Sequence, residues 1–483
     1  MTPGLRTVVV VGGGVAGLSA AFELTKLAAN RNLPLACRVL ESAPTWGGKI
    51  VTHRTGGLLI EAGPDSFLSQ KPWAIELCRE LGLGDQLINT NDEHRKAFVY
   101  SRGRLRELPE GLVVIVPSKL GPFLRSGLLS WSGLARMGLE WAVPRRRIGA
   151  DESLSGFFQR RFGREATDRL IEPLMAGIYA GDAAQMSIQA TFPRFPELEQ
   201  QCGSLIRGLL AKRSSGSEPA DGRPKPSLFV TLRHGLSELV DALVKRLAAA
   251  GIGLQTGVAV EALRVRSREA GRWVYDLLLS DGSRIAADAV ILAVPAFASA
   301  DLVRALSPSA AALLDQIPYA STATISLAYH SEEVRSAIQG FGFVVPRVEQ
   351  RPLLAATWTS LKWADRAPAG QALVRCYLGG IGREASLAGS DEDLVSRSRE
   401  ELAALAGIKA QPTYVEVNRW HRGMPQYTVG HLDRLTQIEA GLSRYPGLVL
   451  TGAAYRGVGI PDCIREGQAS AGRIADYLAG KRN

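Results

Sequence analysis

Four β-branched residues in a row, Val8-Val9-Val10-Val11, run directly into Gly12-Gly13-Gly14-Val15-Ala16-Gly17. A short, unbroken apolar run fits a strand buried on both faces of a parallel sheet. Gly12, Gly14 and Gly17 have the spacing of a tight strand-to-helix turn. Without side chains the backbone can come close to a pyrophosphate, and the free N–H groups of the next helix point at it. The pattern predicts a helix from about Ala16 to Ala29 and a second strand at Cys37–Leu40. Glu41 then sits at the end of that strand, where a carboxylate accepts hydrogen bonds from ribose hydroxyls. Glycines and carboxylate together favour a dinucleotide site over a purely structural turn.

Two more glycine clusters extend this reading. Trp46-Gly47-Gly48-Lys49 follows Glu41 closely. Its backbone N–H groups are placed to reach the same phosphates, an addition that dehydrogenases using only NAD rarely carry; alone, the pair also reads as a plain turn. Near the other end, Val449 to Cys463 reads as strand, glycine turn and helix, with Gly452, Gly457 and Gly459 in the turn. Such a turn can bring backbone N–H groups to a flavin ring, or stand as a second glycine turn with no ligand.

Between these ends the chain predicts helices at Ala74–Leu81, Ser153–Phe162, Glu165–Leu174 and Gly235–Ala250. Strands are expected at Val258–Val265, Trp273–Leu279 and Ala289–Val294. Ile325–Tyr329, Ala355–Thr359 and Leu373–Tyr377 suggest a second, mixed sheet. A late strand at Leu448–Thr451 precedes a terminal helix at Cys463–Leu478. Residues 213–226 are rich in Ser, Gly and Pro and read as a linker loop. At 483 residues the chain exceeds one ordinary core. The fold class is α/β (α+β).

Composition narrows the partners. The formal net charge of +10 suits anionic ligands. The basic residues are dispersed, Arg145-Arg146-Arg147 being the one dense run, and no nucleic-acid-binding signature is present. The five cysteines are far apart with no Cys-x-x-Cys, as expected for reduced thiols in a cytosol. No metal-ligand spacing, signal peptide, catalytic triad or paired-carboxylate constellation is evident. No apolar run approaches the roughly 18 residues that span a bilayer. The expectation is a cytoplasmic protein, with at most peripheral contact with the inner face of a membrane.

The glycine fingerprint, Gly47-Gly48-Lys49 and the C-terminal turn together resemble the amine-oxidase/protoporphyrinogen-oxidase superfamily of FAD proteins. Glu61 to Leu68, Gly177 to Asp182, Thr191-Phe192-Pro193, Met424 to Tyr427 and Gly457 to Cys463 are similar to segments of porphyrinogen oxidases. Gly111 to Glu140, Thr357-Trp358-Thr359 and Ile460-Pro461-Asp462 look closest to bacterial coproporphyrinogen III oxidases. The chain departs from relatives in having Ala97 before Phe98-Val99-Tyr100, and Ala62, where they often carry Arg.

The resemblance implies a Rossmann-like FAD-binding domain drawn from 1–70, 227–300 and 418–483. It implies a largely helical insertion at 71–210 (a membrane or substrate-channel unit), a linker at 211–226 and a mixed-sheet substrate domain at 301–417. FAD would be non-covalent, because Ala453, Ala454 and Tyr455 offer no cysteine to anchor it. Its contacts would be Gly12, Gly14, Val15, Ala16, Gly17, Glu41, Ser42, Gly47, Gly48, Lys49, Gly63, Pro64, Asp65, Ser66, Val258, Trp420, Gly452, Val458, Gly459 and Ile460. A porphyrinogen would lie between Leu174 and Gly177 on one side and Phe341 and Val344 on the other. Lys71, Arg95 and Lys96 are candidates for its carboxylates. Each of these also fits ordinary packing or a solvated charge. The implied reaction is a six-electron oxidation, in three hydride transfers to flavin N5, with molecular oxygen reduced to hydrogen peroxide. No side chain is assigned a catalytic role, since the difficult chemistry is the cofactor's. A downstream ferrochelatase is a candidate contact. The alternatives are an amine oxidase or desaturase of the same superfamily, or a non-catalytic porphyrin carrier.

Overall fold

The structure is a computed structural model that describes residues 5–108, 112–113, 116–117, 126–146, 150–214, 227–269 and 272–480. Most of the expected linker, from residue 215 on, lies outside these residues, as do Arg147 and most of 109–125. Residues 211–214 are not linker but the end of a helix, Leu205–Ser214.

The strand Arg6–Val11 is central in a five-stranded parallel sheet. The order across it is Gly253–Gln255, Leu35–Leu40, Arg6–Val11, Ala289–Leu292 and Leu448–Leu450. Val8, Val9 and Val10 are fully buried, as an unbroken β-branched run requires. Each contributes roughly 1.5–3 kcal/mol by leaving water. The first helix, Val15–Asn30, covers one face together with the last, Ile460–Leu478. These two helices touch backbone to backbone: a Cβ on Gly467 would lie 2.3 Å from the Ala16 carbonyl oxygen. A three-stranded antiparallel sheet, Val260–Glu269, Arg272–Leu279 and Arg284–Ala287, shares the core on the other face.

The second large sheet has seven strands, in the order Tyr414–Pro425, Tyr319–His330, Gln371–Gly379, Leu353–Trp358, Gly342–Val344, Phe98–Ser101 and Arg104–Glu107. All neighbours are antiparallel except Gly342–Val344 with Phe98–Ser101. This sheet draws its last two strands from within 71–210, and Tyr414–Pro425 runs through the 417/418 position.

The stretch expected as one helix at Glu165–Leu174 is built differently. A short turn at Arg164–Ala166 passes through a wider, π-type turn at Thr167–Ile171 into the helix Glu172–Tyr179. Pro173 sits directly after the wider turn, at the second position of that helix. Ala180, left-handed at φ 49°, ends it. Among the described residues, no helix is long and apolar enough to cross a membrane.

Candidate cofactor and substrate site

Glycine makes the cradle possible. Gly12 turns the chain at φ +109°, and a Cβ there would lie 2.6 Å from the Ala293 carbonyl oxygen. A Cβ on Gly17 would lie 2.0 Å from the Gly12 carbonyl oxygen. Gly14, by contrast, faces open space. Gly47 runs alongside: its N–H donates to the Gly13 carbonyl at 2.9 Å, and Gly14 and Gly47 form an isolated parallel bridge. The two glycine segments, with Val15 and Ala16 opening the helix, therefore line one backbone surface.

Glu41 closes the far end. One carboxylate oxygen accepts the Gly13 N–H at 2.6 Å. The other accepts from the Ala43 N–H at 2.8 Å and the Ser42 hydroxyl at 3.2 Å. A cavity of about 310 Å³ opens there, lined by Gly12, Glu41, Ser42, Val258 and Val294 among others.

Gly63-Pro64-Asp65-Ser66 lies at the opposite end of the cradle. A Cβ on Gly63 would lie 1.8 Å from the Lys49 carbonyl oxygen, so this segment and Gly47-Gly48-Lys49 are in backbone contact. Three donors converge on the Ala62 carbonyl: Trp420 Nε1 at 2.9 Å, Arg375 Nη2 at 3.0 Å and the Thr324 hydroxyl at 3.0 Å. Arg375 also donates to the Gly63 carbonyl at 2.5 Å. Asp65 accepts from Lys362 at 3.0 Å, Trp363 at 3.3 Å and the Ser66 hydroxyl at 2.7 Å. Burial alone would raise its pKa. Lys362, Arg375 and the Ser66 hydroxyl outweigh that and hold it well below the usual carboxylate range.

The C-terminal turn completes the strip. Gly452 and Gly457 have φ of +113° and +140°. The Tyr427 hydroxyl donates to the Ala453 carbonyl at 2.7 Å and accepts the Gly457 N–H at 2.7 Å. Its ring stacks on His431, 4.2 Å between centroids, and His431 Nε2 meets the Tyr455 carbonyl at 2.9 Å. Val458 and Gly459 then lead into the helix opened by Ile460. At this helix start, Lys49 and Lys71 act on Cys463, and Lys71 pairs with Asp462 at 2.5 Å. Burial and Asp462 push the Cys463 thiol up to about 12, against the two lysines. Burial pushes the Lys49 ammonium down, and it has no carboxylate partner among the described residues.

The two expected sides of the substrate site do not face each other across a gap: a Cβ on Gly177 would meet Val344 Cγ1 at 3.8 Å, and Leu174 and Val344 pack against one apolar cluster, so these residues form a single wall. Phe341 lies three residues before Val344, its N–H donating to the Lys96 carbonyl at 2.7 Å. Arg95 is exposed and pairs with Asp92, and Lys96 is exposed and pairs with Glu107. These two cations therefore sit on the surface, apart from Lys71.

Residues 15–475 match the family described as flavin containing amine oxidoreductases. The chain belongs to this family. It is similar to coproporphyrinogen III oxidase of Bacillus subtilis (strain 168), 38% identical over 479 residues covering 99% of this chain and 100% of the relative. Against the chloroplastic protoporphyrinogen oxidase of Oryza sativa subsp. japonica the identity is 32%, covering 99% of this chain and 90% of the relative. A proposed protoporphyrinogen oxidase from Exiguobacterium sp. 255-15 superposes with a TM-score of 0.85 at 32% identity, over 98% of this chain and 99% of that one. Cyclohexylamine oxidase from Brevibacterium oxydans IH-35A, at a TM-score of 0.69 and 16% identity, shares the fold, covering 98% of this chain and 99% of its own.

A flavin oxidoreductase needs a long groove of bare backbone, and the residues present fit one. Open space beside Gly14, the half-buried ammonium of Lys49, without a carboxylate partner among the described residues, and the cavity at Glu41 lie along one strip. Sequence reasoning missed the supports beneath it: Arg375, Lys362, Thr324 and the paired roles of Tyr427 and His431. Arg375 did leave a signal, as the single charge within the apolar run Leu373-Val374-Arg375-Cys376-Tyr377. The others show no local pattern, because their partners lie tens to hundreds of residues away.

Proposed function

We propose that this flavin oxidoreductase is an FAD-dependent porphyrinogen oxidase whose substrate is coproporphyrinogen III. The observation that carries the reading is similarity over essentially the whole chain to proteins named coproporphyrinogen III oxidase, from Bacillus subtilis and, at 31% identity, Staphylococcus aureus (strain NCTC 8325 / PS 47). The geometry supports it: Val458 of the C-terminal turn packs on the same apolar cluster as Leu174 and Val344, and Lys71 pairs with Asp462 at the start of the adjoining helix.

In this reading FAD would be held by Gly12–Gly17, Glu41 and Ser42, Gly47–Lys49, Gly63–Ser66, Val258, Trp420 and the Gly452–Ile460 turn. Segments 1–70, 227–300 and 418–483 form the cofactor unit, and 71–210 and 301–417 enclose the substrate. FAD held there would supply a two-electron acceptor, used three times for a six-electron oxidation, with molecular oxygen as the final acceptor and hydrogen peroxide as its product. The chain's own part is placement. Glu41 binds ribose hydroxyls. The helix starts at Val15 and Ile460 present N–H groups to negative charge. Arg375 and Trp420 hold the Ala62–Gly63 carbonyls in place. Leu174, Gly177, Phe341 and Val344 exclude water from the macrocycle, and Lys71 offers a cation to its carboxylates. Attachment is non-covalent, since Ala453, Ala454 and Tyr455 carry no thiol.

The test supplies purified protein with coproporphyrinogen III and protoporphyrinogen IX separately, following porphyrin fluorescence and peroxide. Faster turnover of coproporphyrinogen is expected. Preference for protoporphyrinogen would overturn the substrate. Flavin that neither macrocycle reduces would overturn the activity.

A further inference from the structure

Beyond the cofactor cradle, one group of charges is used by none of the contacts assigned so far. It lies at the far end of the strand Gln371–Gly379. Residues 375, 377 and 379 share a face of that strand. Arg375 reaches the Ala62 and Gly63 carbonyls, and its guanidinium also lies over the Tyr377 ring, 5.0 Å from the centroid. Past Gly379 the chain turns, and the Ile381 N–H donates to the Ala180 carbonyl at 2.9 Å. Ala180 ends the helix that carries Leu174 and Gly177. The strand thus runs from the cofactor segment to the substrate wall.

Glu172, Arg347 and Arg383 gather at that junction. Arg347 lies three residues beyond Val344, which faces Gly177. Its backbone N–H donates to Glu172 Oε2 at 3.2 Å and its Nη2 to the Ile381 carbonyl at 2.8 Å. Its Nε is 3.6 Å from Glu172 Oε1, too long for a hydrogen bond, and both atoms are buried without another partner. Both Nη atoms of Arg383 are buried with no hydrogen-bond acceptor among the described residues. Burial pushes the Arg383 guanidinium down, Glu172 opposes this and Arg347 adds to it. Two guanidiniums against one carboxylate leave the group one positive charge in excess.

Buried guanidinium donors without acceptors are costly, whereas a carboxylate matches their planar fork in two hydrogen bonds. We propose that Arg383, supported by Arg347, forms a carboxylate subsite that takes one propionate arm of the tetrapyrrole. This rests on the porphyrinogen-oxidase reading above. It also adds a cation where Arg95 and Lys96, held at the surface, supply none. Lys71 then serves one edge of the macrocycle and Arg383 another, which favours a substrate with four acidic arms over one with two.

Steady-state kinetics of the holoenzyme test this, comparing wild type, Arg383→Gln and Arg383→Lys on coproporphyrinogen III and protoporphyrinogen IX. Arg383→Gln is expected to raise KM for coproporphyrinogen about tenfold, the loss of one charge-assisted contact. Flavin content and kcat stay near wild type, and the rise for protoporphyrinogen is smaller. Arg383→Lys, which keeps the charge but not the fork, falls between. If Arg383→Gln does not accumulate as a flavoprotein, the Lys variant decides: a raised KM supports the subsite and an unchanged one overturns it. Wild-type turnover with KM unaltered in both variants overturns the subsite alone. A wild type inert toward both macrocycles removes the underlying activity and the subsite with it.

Discussion

Gly17 and Gly177 both stand inside helices, yet they answer to different demands. A Cβ on Gly17 would lie 2.0 Å from a carbonyl oxygen, while one on Gly177 would lie 3.8 Å from a valine methyl. The first contact is impossible without moving backbone, and the second is ordinary van der Waals contact. The cradle is therefore fixed by main chain against main chain, and the wall by side chains that can adjust. Precision is concentrated in the backbone cradle, and adaptability in the side-chain wall.

The largest effect should come from adding one methyl group to the cradle. Gly17→Ala or Gly63→Ala is expected to give protein that purifies colourless and takes up no FAD, measured by absorbance after reconstitution. Retention of yellow flavin by both would break the contrast.

Acidity probes the same cradle through His431. Burial pushes this imidazole down to about 4, against its bond to the Tyr455 carbonyl. The unfolded chain, titrating near 6.5, therefore binds more protons than the folded one between about pH 6.5 and 4. Stability is full above that window and falls as pH drops through it, by up to about 3 kcal/mol. The Tm should decline accordingly, and more gently in His431→Gln. Parallel curves for the two proteins would remove His431 from the account.

Tyr427→Phe deletes one hydroxyl and leaves the Ala453 carbonyl and Gly457 N–H without it. A loss of about 1–3 kcal/mol is expected, read as FAD affinity weakened about 5- to 150-fold in a fluorescence titration. Unchanged affinity would show that the turn holds its shape without the tyrosine.

Gly177→Ala should do least, and with the opposite sign for stability. Alanine favours the helix by about 0.5–1 kcal/mol, so Tm rises slightly by calorimetry. Flavin stays bound, and KM for porphyrinogen shifts by no more than about threefold. A colourless product would mean that the wall is as rigid as the cradle.

Local signals were easy to read. The valine run, the glycine spacing, Glu41 and four strands of the parallel sheet fall where local pattern predicts them, whereas the short edge strand Gly253–Gln255 carries no such signal. Long-range elements were harder. Tyr414–Pro425 gave no strand signal because it carries charges, a glycine and a proline, yet it pairs with Tyr319–His330 over most of its length. The helices Asp391–Ala406 and His431–Leu442 also went unread, although Ser390 with Asp393 forms a capping box. Arg95 and Lys96 are substrate candidates only because they flank Ala97, where relatives often carry Arg, and the fold leaves both exposed in surface ion pairs.

The sequence by itself determined where backbone is bare, because a glycine or a β-branched run acts on its own few neighbours. That is enough to specify a strand, a turn, a helix start and the carboxylate that follows. Only the tertiary structure decided which charges face inward. An arginine behaves alike anywhere in a sequence, and burial separates Arg375 and Arg383 from Arg95. Burial is set by strands and helices that meet across hundreds of residues.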